Sequence, residues 1–277
     1  MNQQFLNKEI NIIVSSDEQQ GASNKSSDGS SFDVVMSQPL SLPKNAVNAY
    51  LAVEESTVWW VIPNFIANVN NKMYFNLPTE ANSTVYNNYV VSIPTGLYDL
   101  TAFNNAIQIQ LINQGAKNTP SKSVNISGDL STQLMQITFN YINCSCTFGL
   151  HSPYQILGVD ANKIFSNGSI APLTLSGQYP VKFNTIDYFL LNSDLPDTGL
   201  QFNGSYYNSI CQILIDVKVG NQIRNKPFNP AKLSCDKLIG AQRSRFRVWL
   251  TDNSNNPVNT NGEFFTARLV IRYQVPL

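Results

Sequence analysis

Charge and histidine are what this sequence has least of. Asp, Glu, Lys and Arg make up 13% of its 277 residues, about half the share usual in soluble domains. The 18 basic and 18 acidic side chains cancel, so the net charge gives no general attraction to nucleic acid or to an anionic membrane surface. The single histidine, His151, excludes a His-rich metal site, and any Ser-His-Asp or Cys-His relay would have to be built around it. It lies in GLHSPY, read as a loop in which a solvated or capping role is expected. Neither GxGxxG nor GxxxxGK followed by Ser or Thr occurs, which removes the commonest phosphate cradles. No apolar run approaches the length of a membrane-spanning helix, and MNQQFLNKEI lacks a basic stretch followed by an apolar one. Neither secretion nor a membrane span is therefore expected.

Cysteine is also scarce. Cys144 and Cys146 stand two apart in INCSCTF, where a strand turns both side chains to one face. That is not the CxxC spacing of a zinc knuckle or redox pair, so these two, with Cys211 and Cys235, are expected as free thiols acting as small apolar residues. Paired carboxylates for glycoside hydrolysis would have to be Glu54 with Glu55 or Asp194 with Asp197. Adjacent strand residues point to opposite faces, which separates the glutamates. The aspartates bracket Pro196 in a turn, where acidic residues are ordinary. The chain is read as non-enzymatic, with no catalytic residue, cofactor or metal.

In place of charge the sequence carries 35 asparagines, spread along its whole length. Asn favours turns and caps, so many short strands and long loops are expected. Six Asn-x-Ser/Thr sequons, at Asn24, Asn82, Asn125, Asn143, Asn167 and Asn203, follow from that composition and are expected to be unused. Residues 1–31 read as a partly flexible N-terminal arm, with a first strand in EINIIV (9–14) and a polar stretch without apolar periodicity after it. Residues 32–277 read as the globular domain, with room for an insertion subdomain. Its strand-like runs are 32–36, 49–56, 58–65, 72–77, 88–93, 132–142, 146–150, 186–193, 209–219, 245–250 and 265–273. Leu100, Phe103, Ile107 and Leu111 make one apolar helical stripe, with Asp99 as N-cap and Gly115 as the stop. Short strands at regular spacing argue for an all-β sandwich or barrel over a βαβ fold.

Five of the six arginines fall in the two closing runs, RFRVWL (245–250), with Arg243 just before it, and FTARLVIRY (265–273). Alternation puts Phe246, Val248 and Leu250 on one face of the first run, and Phe265, Ala267, Leu269, Ile271 and Tyr273 on one face of the second, as core. The runs are read as a hairpin whose opposite face gathers Arg245, Arg247 and Trp249 on one strand and Arg268, Val270 and Arg272 on the other, with Arg243 just before them. Stacked arginines repel, so carboxylates are expected opposite them, from another loop or a neighbouring subunit. Arg beside Trp on a β-surface suits single-stranded nucleic acid. The same residues are enriched at interface hot spots, and for a neutral chain a subunit interface is the preferred reading.

Several stretches, in order, resemble capsid proteins of the lineage that joins Polinton-like viruses, virophages and adenovirus-like double-stranded DNA viruses. NAYLAVEESTVWWVIPNFIANVNNKMYF resembles their early strands, with an aromatic strand leading into a Pro-Asn step. IPTGLYDLTAFNNAIQIQLI is similar to the helix they insert between strands. QILGV resembles their Leu-Gly-Phe step, with Val159 departing from the usual Phe, and RVWLTDNSNNPVNTNGEFFTARLVI resembles their closing hairpin. The likeness covers residues 32 to 277. It implies a single jelly-roll sandwich of two antiparallel sheets with one inserted α-helix and long loops. Major capsid proteins of the lineage have longer chains and a double jelly roll. The implied role is therefore the penton or minor capsid protein, a homopentamer at the five-fold vertices of an icosahedral capsid, with the major capsid protein as partner. The implied location is the virion, after synthesis in the host cytoplasm. The alternatives are a jelly-roll attachment protein whose loops hold a glycan or host receptor, with Tyr206 or Tyr207 as contact candidates, and a trimeric minor capsid (cement) protein.

Overall fold

The computed structural model describes residues 4–80, 83–116, 123–202 and 205–277, without the side chains of 202, 205 and 206. The sequons at Asn82 and Asn203, and the Tyr206 side chain, lie outside the described residues. The chain divides into two compact units: Met1–Ile62 with Ile186–Leu277, and, between them in sequence, Pro63–Thr185. Strands β1 (Phe5–Ser15), β2 (Ala22–Ser23), β3 (Ser31–Leu40) and β4 (Val47–Trp59) open the first unit. The second unit holds β5 (Lys72–Pro78), β6 (Tyr86–Ser92), helix α1 (Leu100–Asn113), β7 (Val124–Gly128), β8 (Leu134–Phe139), β9 (Ser145–Thr147), β10 (Ile164–Ser166) and β11 (Leu173–Pro180). The first unit resumes with β12 (Tyr188–Ser193), β13 (Gln201–Phe202), β14 (Ser205–Tyr206), β15 (Ser209–Leu214), β16 (Gln222–Asn225), β17 (Leu233–Ser234), β18 (Arg243–Thr251) and β19 (Thr266–Pro276). The protein is all-β with one α-helix among the described residues, as alternation and turn chemistry predict.

Two five-stranded antiparallel sheets build the first unit, with β13 and β14 as a separate pair. One runs β1-β19-β4-β16, with β17 also on β4, and the other runs β15-β12-β18-β3-β2. Their apolar faces meet edge to face at Phe32–Phe265, 5.5 Å apart, and Trp60–Phe189, 5.8 Å apart. Alternation places the core side chains of β18 and β19 as predicted: Phe246, Val248, Leu250, Ala267, Leu269 and Ile271 are buried. Tyr273 is only half-buried.

The predicted hairpin is not formed. β18 pairs with β12 and β3, whereas β19 pairs with β1 and β4 in the other sheet. The connection between them crosses from sheet to sheet. Its first turn closes on Asp252, whose carboxylate accepts from the Ser254 and Asn256 amides at 2.8 Å. Farther along, the Thr260 amide donates to Asp28 O.

The first strand extends beyond the run expected at 9–14, to Phe5–Ser15. β1 pairs with β19 from Phe5↔Pro276 to Ser15↔Thr266, so the N-terminal residues belong to a sheet. Residues 16–31 lack apolar periodicity yet take a defined course, because short polar side chains replace a core. Asp17 caps a 3-10 turn through the Gln19 amide. Asp28 accepts from the Ser30 amide and from the Ser26 and Ser30 hydroxyls. Burial alone would raise the Asp28 pKa, but these hydrogen bonds outweigh it and hold the carboxyl below its usual range.

The second unit packs α1 with two sheets, β10-β9-β5-β6 and β11-β8-β7. Asp99 accepts from the Ala102 amide at 2.7 Å, and Phe103, Ile107 and Leu111 are buried. Phe103 stacks on Phe65 with centroids 4.9 Å apart. Gly115 carries the chain out of the helix at φ 81°.

Asparagine does two jobs. At Asn24, Asn48, Asn68, Asn143, Asn162, Asn255 and Asn261 it takes the left-handed conformation that other side chains resist. At Asn64, Asn71, Asn167 and Asn192 it is buried, and its carboxamide bonds backbone groups of neighbouring segments or, at Asn192, also hydroxyls. Asn64 donates to Tyr98 O and Phe183 O at 2.8 and 2.9 Å and accepts from the Tyr98 amide at 2.9 Å. Asn167, one of the sequon residues, donates to Tyr141 O and Ile170 O and accepts from the Cys144 amide. Asn64→Ala is expected to cost about 3 kcal/mol by stranding those backbone groups, against about 0.5 kcal/mol for exposed Asn87→Ala. Urea midpoints at unchanged slope would measure both, and equal shifts would refute the staple role.

Candidate assembly surface

The outward faces of the two sheets carry the arginines. On β18, Arg245 and Arg247 are exposed and Trp249 half-buried, as the alternation requires. On β19, Arg268 is exposed and Arg272 half-buried, while Val270 between them is fully buried. Because β18 and β19 belong to different sheets, the six candidate residues form two clusters.

In the β18 cluster, Arg245 makes a short ion pair with Asp33 on β3, and Asn24 donates to the same carboxylate at 2.9 Å. Arg247 donates to the Ser31 hydroxyl at 2.8 Å. Arg243 pairs with Asp194 at 2.7 Å and also donates to its carbonyl. Arg247 and Trp249 line a recess of about 330 Å³ with Ser26, Asp28, Ser30, Ser31 and Pro257. The Arg245 hydrogen bond is the main reason the Asp33 carboxyl lies below its ordinary range. Burial opposes it, and Asn24, Arg245 and Arg247 add to the lowering.

A β-bulge sets the β19 cluster. Arg268 faces Glu55 and Leu269 faces Val53, so Glu54 is the extra residue on β4. The bulge reverses the alternation there. Leu51 and Val53 before it and Ser56 and Val58 after it are buried, while Glu54 and Glu55 are half-buried and exposed in turn. The expectation that these glutamates point to opposite faces therefore fails. Glu54 reaches both arginines, with a short contact to Arg272 and 3.6 Å to Arg268. Arg272 also pairs with Glu9 of β1 at 3.3 Å, and Arg268 donates to Asn11 at 2.8 Å. Glu54 is the main cause, against burial, of the raised Arg272 pKa. Asn48, Gln274 and Asn7 continue the ladder across three strands.

The carboxylates expected opposite the arginines are thus present. They come from neighbouring strands and from the turn after β12, all within one chain. Periodicity could not have singled out Asp33, Glu9 or Asp194.

The other chemical candidates are structural. Asp194 also accepts from the Arg247 amide at 2.8 Å, and Asp197 takes the Ser234 hydroxyl and the Asp236 and Lys237 amides. His151 holds a left-handed turn at φ 61°, and its carbonyl accepts the Lys72 amide. All four cysteines are free and buried. Burial pushes the Cys144 and Cys211 thiols up to about 11 and Cys235 up to about 12, so none ionises at neutral pH.

No protein-family model matches the chain, and neither does any curated protein. Among solved structures it is similar to the mavirus penton protein, at 12% identity over 97% of this chain and 99% of that one, with a TM-score of 0.47. It is also similar to a chain in the structure of the Sputnik virophage, at 13% identity over 96% and 97% of the two chains, with a TM-score of 0.40.

The Asp33 shift fixes a pH dependence. The folded carboxyl titrates below its unfolded value of about 3.9. Its stabilisation is complete above that value and is lost as pH falls through the lower folded value. Asp33→Asn is expected to be less stable than the parent by about 1 kcal/mol at neutral pH, a figure discounted for the exposure of Arg245. The gap should close below about pH 4. Chemical denaturation across that range checks it, and a gap independent of pH would refute the pairing.

Proposed function

We propose that this chain is a structural subunit of a virion, the penton protein, whose homopentamers close the five-fold vertices of an icosahedral capsid beside a major capsid protein. The observation that supports this most is the set of elements that the capsid-like sequence stretches form in the two units. The first runs along β4 and on into β5, the second becomes α1, and the last becomes β18 and β19, one in each sheet of the first unit. In this reading the first unit is the jelly roll and residues 63–185 are its insertion subdomain. The side chains that would serve hydrolysis are engaged instead in ion pairs, turn caps and bulge contacts.

In a closed ring each subunit presents two different surfaces, repeated by the symmetry. The face bearing Arg243, Arg245, Arg247 and Trp249 is one proposed contact, and the face bearing Arg268 and Arg272 is another. Arginines already paired with carboxylates, as Arg243, Arg245, Arg268 and Arg272 are, can enter an interface without burying a lone charge. Light scattering after size exclusion is expected to give five protomers of 30.8 kDa. Three would indicate the cement protein, and a strict monomer at micromolar concentration, with no capsid partner able to recruit it, would refute the assignment. Arg245→Ala with Arg247→Ala is expected to weaken association about tenfold or more while shifting the unfolding free energy by only about 1 kcal/mol. Unfolding of the isolated protomer would instead make this face part of its internal structure.

A further inference from the structure

We propose that Phe228 of one copy seats in a shallow apolar depression beside α1 of the next copy, a contact that rests on the self-assembly proposed above. Phe228 lies in Lys226-Pro227-Phe228-Asn229-Pro230-Ala231-Lys232, the link between β16 and β17. Both strands pair with β4, so the link is anchored at each end. The two prolines fix their own φ angles and reduce the ordering left to pay on binding. The ring is 105% exposed, the highest value among the large apolar side chains described. It is therefore unseated in its own chain.

The receiving site belongs to the second unit. Pro94, Tyr98, Ala102, Asn105, Ala106, Ile109 and Gln110 line a depression of about 400 Å³, and none of them is charged. A solvated helix usually turns a charged stripe outward. None of the fourteen residues of α1 is charged, and outward-facing Ile109 and Ile112 are 57% and 56% exposed. Such a surface marks a place that a partner covers. The site is pre-formed: Tyr98 packs edge-on against Phe65 at 5.4 Å, Asn64 holds its backbone, and Phe103, Ile107 and Leu111 anchor the helix. The Asp99 carboxylate, which accepts from the amide of lining residue Ala102, puts a negative charge at the rim, and Lys226, two residues before Phe228, brings a positive one. Each copy carries both knob and hole at different places, so the contact repeats head to tail, as a ring requires.

The buried native thiols make a direct test available. Phe228→Cys and Ile109→Cys proteins, mixed and mildly oxidised, are expected to give a disulfide dimer that neither gives alone. Phe228→Ala and Ile109→Asp are each expected to weaken association by about ten- to thirtyfold at unchanged melting temperature. If the parent forms oligomers and the mixture does not cross-link, the contact is wrong while assembly stands. Cross-linking within Ile109→Cys alone or Phe228→Cys alone would show helix meeting helix or loop meeting loop, and overturns it. Burial of either residue only when another capsid protein is added overturns it in favour of that partner. A parent that is monomeric throughout sinks both proposals.

Discussion

A backbone group taken out of water must find a partner, and where the strand ladders of this protein break off, four buried carboxamides meet part of that requirement. Charged side chains are few, and burying them would cost far more than burying an amide. Asn64, Asn71, Asn167 and Asn192 each give two donors and an acceptor from a compact, neutral group. Asn192 shows the economy of the device. On β12 it donates to Leu190 O and to the Thr251 hydroxyl of β18, and accepts from the Ser209 hydroxyl of β15. One side chain ties three adjacent strands.

The few charges have a correspondingly local role. Along β4 a single extra residue turns Glu54 outward, where it sits between two arginines of β19. Across the sandwich, Asp33 and Asp194 do the same for β18. Each pair is partly solvated and contributes little to stability alone. Together they offset most of the repulsion that five arginines on two neighbouring sequence runs would otherwise bring, with Arg247 held by the Ser31 hydroxyl instead.

The sequence made the faces legible and the neighbours illegible. Period-two alternation in 245–250 and 265–273 identified every buried position but one, because the pleat allows no other assignment. It carries no information on which strand lies alongside, so β18 and β19 were read as partners although each is embedded in a different sheet. The helix was legible because its cap, stripe and stop agree. The bulge at Glu54 was not, since an inserted residue looks like any other. Nor was the path of residues 16–31, where Ser and Asp side chains bond backbone amides and leave no apolar period to read. An asparagine at a turn and one serving as a buried staple are identical in sequence. The Asn167 sequon shows how far composition alone misleads.

The pairing of β1 with β19 joins residue 5 to residue 276. During synthesis the first sheet therefore waits for residues 266–276 to emerge, with β1 holding a free flank until then. Residues 63–185 are continuous in sequence, and the strand pairings inside that unit are all available once residue 185 has appeared. Order of birth thus places the inserted unit ahead of the sandwich. Contacts of such long sequence separation form slowly. A truncated chain cannot complete its own β1 edge, so a prematurely terminated product lacks a finished sandwich to offer to any assembly.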